Sequence, residues 1–447
     1  MKKESPVKNT TPLTGLKSIF RSLQYKNYRL FFYGQSISLI GTWVQRIAVP
    51  WLVYDLTGSV FLLGIVGFAG QIPTFILAPF AGVTVDRMSR YKILIITQVL
   101  AMVQAFILTF LVYTKTIQVW EIIALSVFLA CINAFDMPAR QSLVIDMIEK
   151  KEDLGNAIAL NSSMVNGARL LGPSIAGILI SLTGEGMCFL INGLSYIIVI
   201  YFLFQMKINP RKVLTKTKQG MKGFKEGLNY TFGFAPIRSI ILLLALVSLM
   251  GMSYTVLMPV FAKTILHGGS HTFGFLMGAT GMGALSGAFY MASRKSVLGL
   301  EKMIPIFSAI FGMGLILVSF SNSFWISMPL MVIVGLGMLM QMTASNTILQ
   351  TVVDDDKRGR VMSFYMMAFM GTAPFGSLLA GYLASRIGVP NTMIIGGVSC
   401  ILGAIVYTKE LPKLVRKIRP IYIKLGIISE VTSGIQTATE LVESRGE

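Results

Sequence analysis

Apolar residues in this chain come in long unbroken runs separated by short polar clusters. Six runs, Leu30–Tyr54, Phe61–Pro79, Ile93–Tyr113, Ile122–Met137, Ala157–Leu182 and Met187–Phe204, precede a basic segment from Lys207 to Arg238. Six more follow at Ile240–Ala262, Phe273–Ala292, Ile304–Phe320, Phe324–Leu349, Val361–Ile387 and Met393–Tyr407. Crossing a bilayer takes about 20 apolar helical residues. Runs of this length without period-two alternation predict helices and exclude a β-barrel, because only helices and closed barrels satisfy their backbone in lipid. The expected fold is an all-α integral membrane protein of twelve transmembrane helices. Its divisions are a 1–29 lead-in, a 30–204 bundle, a 205–238 linker, a 239–407 bundle and a 408–447 tail. Surface helices are expected around Leu16–Leu23 and Met221–Phe232, and nothing in the tail specifies a fold.

Composition agrees: 13% of residues are charged and 54% hydrophobic, where a globular domain carries about a quarter charged residues. The net charge of +19 raises the question of nucleic acid, and position answers it. All but five of the 39 Lys and Arg residues lie before Tyr33, in loops at Arg87–Lys92, Arg140–Lys151, Arg294–Lys302 and Lys357–Arg360, in the central segment, or after Tyr407. The exceptions are Arg46 and Arg169 within apolar runs, and Lys115, Lys263 and Arg386 in the alternate loops. By the positive-inside rule both termini are cytoplasmic, and the cations face anionic lipid rather than nucleic acid. The first thirty residues lack the pattern of a cleavable signal, so the first helix is expected to stay in the protein. Cys131, Cys188 and Cys400 have no metal-like spacing and read as small core residues. His267 and His271 share one outer loop, and no nucleophile elbow or phosphate loop is present. No enzyme, cofactor or metal is expected, and Gly281-x-Gly283-x-x-x-Gly287, lacking a preceding strand, is a packing face.

The halves repeat. Gly155, Gly167, Gly172 and Gly177 in the fifth run recur 204 residues later as Gly359, Gly371, Gly376 and Gly381 in the eleventh. Gly82, Asp86, Arg87, Arg90 and Lys92 form a knot of charge between the second and third runs, read as a tight cytoplasmic loop. Its counterpart keeps Gly287 and Arg294/Lys295 but has Met291 where Asp86 stands. An even number of spans per half gives the repeats one orientation, about an axis along the membrane normal.

Twelve helices in two repeats, with Gly82-x-x-x-Asp86-Arg87-x-x-Arg90-x-Lys92 between the second and third, resemble the major facilitator superfamily. Asp136-Met-Pro138-Ala-Arg140-Gln141, Ala168-Arg169-Leu-Leu-Gly172-Pro173 and Arg358-Gly359-Arg360-Val-Met-Ser363 resemble its branch of enterobactin-type siderophore exporters and macrolide or multidrug efflux pumps. The resemblance implies a secondary active exporter of an amphiphilic small molecule in the bacterial cytoplasmic membrane, working by alternating access and proton antiport, and expected to be a monomer. It implies that Asp86 accepts hydrogen bonds from the N-terminus of the eleventh helix, where the macrodipole favours an anion, clasping the halves on the cytoplasmic side. Gly172-Pro173 resembles part of an antiporter motif, with proline and glycine permitting a bend. Two other readings stay open: a lipid flippase of the same fold, and a membrane scaffold or sensor acting through its tail.

Polar groups in apolar runs supply the remaining candidates. Arg46 and Arg169 are each expensive in hydrocarbon, at about 2.5–3.5 kcal/mol, and are expected to face protein or water. With Gln45, Asn166, Gln341 and Asn346 they are the expected cavity lining, suited to anionic or polar cargo; the alternative is that both arginines bind backbone carbonyls or Asp136. Asp136, four residues before Arg140, is the proton-coupling candidate if its partner leaves during the cycle, and a static helix pair if not. The methionines Met338, Met340, Met342, Met362, Met366, Met367 and Met370 read as pocket lining or ordinary filler.

Overall fold

A computed structural model describes residues 20–207, 221–294 and 296–428; of residues 86, 151 and 221–225 it describes the backbone alone. The Asp86 side chain, Lys295, part of the expected Leu16–Leu23 helix, part of the central segment and the end of the tail lie outside the described residues. Every regular element among the described residues is helical. The first expected span is α1 (Lys26–Thr57), and the second is divided into α2 (Val60–Ala69) and α3 (Ile72–Arg87). The first half continues with α4 (Arg90–Tyr113), α5 (Val119–Asp146), α6 (Lys151–Thr183) and α7 (Glu185–Phe204). The linker contributes α8 (Met221–Gly233). The second half opens with α9 (Ala235–Leu246) and α10 (Tyr254–Val260), joined by a π-helical turn at Val247–Gly251 and followed by another at Phe261–Ile265. It ends with α11 (Ser270–Ser293), α12 (Leu300–Ser319), α13 (Phe324–Val352), α14 (Asp355–Met370), α15 (Ala373–Ile387) and α16 (Val389–Lys424).

Eleven helical stretches among the described residues are long and apolar enough to cross a membrane. The first expected span, α1, is 32 residues long but falls outside that set. Gln35, Ser36, Ser38, Thr42, Gln45 and Arg46 dilute its apolar content. It packs against α6 and α7, so part of its polar surface is turned to protein.

Three elements differ from expectation. The Gly82–Lys92 stretch is helix almost throughout: α3 runs to Arg87, α4 starts at Arg90, and only Met88 and Ser89, both extended, link them. No residue from Val83 to Arg87 breaks a helix, and Arg87 in the last turn suits the negative end of the dipole. Second, α16 continues to Lys424, past the expected tail boundary. Leu414, Ile418 and Tyr422 recur every four residues and are buried, while Lys409, Lys413, Arg416, Lys417 and Lys424 are exposed, the signature of an amphipathic helix. Third, the helix breaks fall at Gly70-Gln71 and Gly371-Thr372, each followed by a proline in the next first turn. α6 passes through Gly172-Pro173 unbroken.

At the basic end each half is fastened internally. Asp153, at the start of α6, accepts hydrogen bonds from Tyr25 (2.7 Å) and Gln24 (3.1 Å) and pairs with Arg21 (2.9 Å). Burial, then the bond to Asp153, push the Tyr25 hydroxyl above the usual tyrosine value, which keeps it a donor. Arg90 pairs with Asp146 at the end of α5 (2.9 Å). α8 belongs to the second half: Glu226 pairs with Arg360 (2.9 Å), and Lys357 lies 4.6 Å over the Tyr230 ring.

Candidate functional site

The halves meet at the end opposite the basic loops, chiefly through two helix pairs, α6 with α11 and α2 with α15. Glycine makes both approaches possible. A Cβ on Gly177 would stand 2.8 Å from the Ser270 carbonyl oxygen, and one on Gly64 would stand 2.8 Å from that of Ser377 and 2.9 Å from Gly381 Cα. Ser270 Oγ donates to the Gly177 carbonyl (3.1 Å), and Gln71 Nε2 donates to Ser377 Oγ (3.3 Å). Trp51 stacks on Phe273 at 6.1 Å, and Lys263 pairs with Asp55 at 2.7 Å. Toward the basic end the same glycine set loses its partners: Gly155, Gly167 and Gly359, and Gly82 on α3, have nothing within 4 Å of a Cβ position. The repeated glycines are thus in contact near one end and face open space near the other.

At the inner edge of the closed layer sits a charge cluster. Arg46 is twenty residues along α1 and Arg169 eighteen along α6, both about 27–30 Å from the basic end at 1.5 Å per residue. Their guanidinium carbons lie 4.8 Å and 5.5 Å from the centre of one ring, Trp43. Gly172 lets the ring sit there: a Cβ at that position would overlap Trp43 Cβ. Arg46 is exposed and Arg169 half-buried. Among the described residues neither guanidinium has a hydrogen-bond or ion-pair partner. The second half supplies the roof. Gly281 packs on the backbone of Arg169 and Leu170, and Tyr254, just after the π-helical turn, is buried.

The other candidates lie apart from this cluster. Gln45 is buried in a bridge, donating to Gln104 Oε1 (2.9 Å) and accepting from Asn192 (2.7 Å), which ties α1 to α4 and α7. Asn166 donates to the Ser162 carbonyl one turn back (2.9 Å). Gln341 is fully buried, its Oε1 without a partner, and Asn346 accepts from Gln350 (3.0 Å). Asp136, 3% exposed, is held by Thr97 (2.9 Å), Gln98 (2.7 Å) and Arg140, so it is committed to α4 and its own helix rather than to Arg46 or Arg169. Arg87 and Lys92 are exposed at the basic end. The Gly281–Gly287 stretch is the packing face its setting implied, pressed on α6 and α13. Trp43 and Tyr254 were not among the sequence candidates. An aromatic in an apolar run resembles core, and only the i, i+3 spacing of Trp43 from Arg46 hinted at a shared face.

Residues 17–419 match the family model described as transmembrane secretion effector. The chain belongs to this family of the major facilitator superfamily. It is a multi-pass membrane transporter and not an enzyme. It is 27% identical to the staphyloferrin A transporter of Staphylococcus aureus over 85% of this chain and 95% of that one. It is 24% identical to macrolide efflux protein A of Streptococcus pyogenes over 86% and 96%. Among solved structures, a bacterial homologue of the human lysosomal transporter Spinster, inward-facing and occupied, superposes with a TM-score of 0.69 at 15% identity. That superposition covers 89% of the transporter and 98% of the homologue, and the likeness concerns the fold.

Proposed function

We propose that the transporter is a secondary active exporter of an amphiphilic small molecule in the bacterial cytoplasmic membrane. It has twelve spans and both termini inside, and it works as a monomer by alternating access coupled to proton antiport. The observation that carries the reading is one-sided closure: the halves are in glycine-lined contact at the end away from the basic loops, while among the described residues Gly82, Gly155, Gly167 and Gly359 face open space at the basic end. With the basic loops cytoplasmic, this is an inward-open state that receives cargo from the cell interior. The names of its relatives, one a transporter of staphyloferrin A and one a macrolide efflux protein, support export. Asp136 is the proton-coupling candidate, and Asp86 is the clasp that would engage the start of α14 when the basic end closes. The test is flux in everted vesicles, where cargo should accumulate inside only while a pH gradient is imposed. Accumulation unaffected by collapsing that gradient contradicts proton antiport, and none under any gradient contradicts export.

A further inference from the structure

Two guanidinium groups on different helices face one indole ring, deep in the gap between the halves, and among the described residues no acid answers either. Three features make this a site rather than an accident of packing. Like charges set on one ring repel each other, and a cation pair so placed in the gap gains from a counter-charge. The buried acids of the first half are committed elsewhere, Asp136 to Arg140, Thr97 and Gln98, and Asp153 to Arg21, Gln24 and Tyr25. The contact with Trp43 attracts each guanidinium without neutralising it. The missing counter-charge is therefore expected to come from outside the chain, through the basic end, where Arg87 and Lys92 stand exposed and attract anions.

We propose that Arg46 and Arg169, set on the Trp43 ring, form an oxyanion-binding site at the closed end of the gap, and that the cargo carries a carboxylate or comparable oxyanion there. The word cargo rests on the exporter reading; the site does not. Arginine suits this role because its planar fork grips two oxygens at once. The cargo's apolar body would lie along the indole, and Gly281 of the second half, packed on the Arg169 backbone, would cap it.

The test uses purified full-length protein in phosphatidylcholine nanodiscs and two fluorescent probes. Anilinonaphthalene sulfonate carries an oxyanion; phenylnaphthylamine is the same ring system without it. The sulfonate probe should bind saturably and the neutral one more weakly. Arg46→Gln and Arg169→Gln should each weaken the sulfonate probe roughly ten- to hundredfold and leave the neutral probe unchanged. Arg46→Lys should recover part of the loss, since it keeps the charge and loses the fork. Equal binding of both probes, or undiminished sulfonate binding in both glutamine variants, overturns the proposal. A neutral-probe affinity that stays constant shows that the variants are folded. Adding phosphatidylglycerol to the nanodiscs separates the two oxyanion sources: displacement of the sulfonate probe by that lipid alone supports the site and makes its occupant a headgroup phosphate, whereas displacement by soluble benzoate supports a soluble carboxylate. In everted vesicles, movement of the neutral probe with no arginine-dependent sulfonate binding leaves the exporter reading standing and removes the site. Arginine-dependent binding without pH-driven movement of either probe does the reverse.

Discussion

A single missing side chain, at Gly172, holds the charge cluster together. Gly172→Leu would drive into Trp43 and carry the ring away from both arginines. The expected result is a loss of about 1–3 kcal/mol in stability from overpacking, together with a shift in tryptophan emission and sulfonate-probe binding as weak as in the arginine variants; probe binding at the parent level would separate Trp43 from the site. Asp136→Asn leaves Arg140 facing an amide. Breaking a buried pair costs about 3–5 kcal/mol, and Arg140, still partly in contact with solvent, places this one at the lower end. If Asp136 carries the proton, the variant's flux no longer varies with pH. Flux with the parent's pH dependence removes Asp136 from that role. The arginines and Asp136 were legible in the sequence because a charge in an apolar run is conspicuous. Their partners were less so: Gln45 reads as a cavity polar group by composition alone, and only the positions of Gln104 and Asn192 reveal a bridge. The Met residues illustrate the same limit, with Met340 buried and Met366 exposed in one expected group.

Among the helices, closure depends on backbone approach more than on charge. The Lys263–Asp55 pair spans the halves but both side chains are about half exposed, and such pairs contribute about 0–1 kcal/mol. Lys263→Ala should therefore change the open-to-closed ratio at that end no more than about fivefold. Gly274→Leu places atoms against the Pro173 carbonyl and Gly177 and should hold the end open. Labelling of a cysteine introduced at Leu62, applied from the side opposite the basic loops, reads both; equal labelling in the two variants contradicts the ranking. Helix existence was legible throughout from apolar run length. Boundaries were not: the knot of charge from Asp86 to Lys92 suggested a loop where helix continues to Arg87, and the tail, with no apolar run, showed no sign of the amphipathic continuation of α16.

Taken whole, the molecule is a repeat used asymmetrically. The glycine set recurs at a constant offset, whereas the charged candidates do not: Arg169 has Ala373 at the same offset, and Asp86 has Met291 as its counterpart. The first half holds Arg46, Arg169 and Asp136, and Gly281 of the second packs on the Arg169 backbone. The repeat was legible from spacing; which end is closed was not, because the same glycines serve contact at one depth and face open space at another. The central claim, that the two ends open in alternation, is tested most directly by electron–electron spin resonance distances. The three native cysteines are replaced, and labels are placed in one sample at Met88 and Asp355 at the basic end, and in another at Leu56 and Ile387 at the far end. A population in which the first distance shortens should be matched by an equal population in which the second lengthens, and Asp86→Asn should diminish both by loosening the clasp. Distances that stay fixed at both ends, or that lengthen together, contradict it.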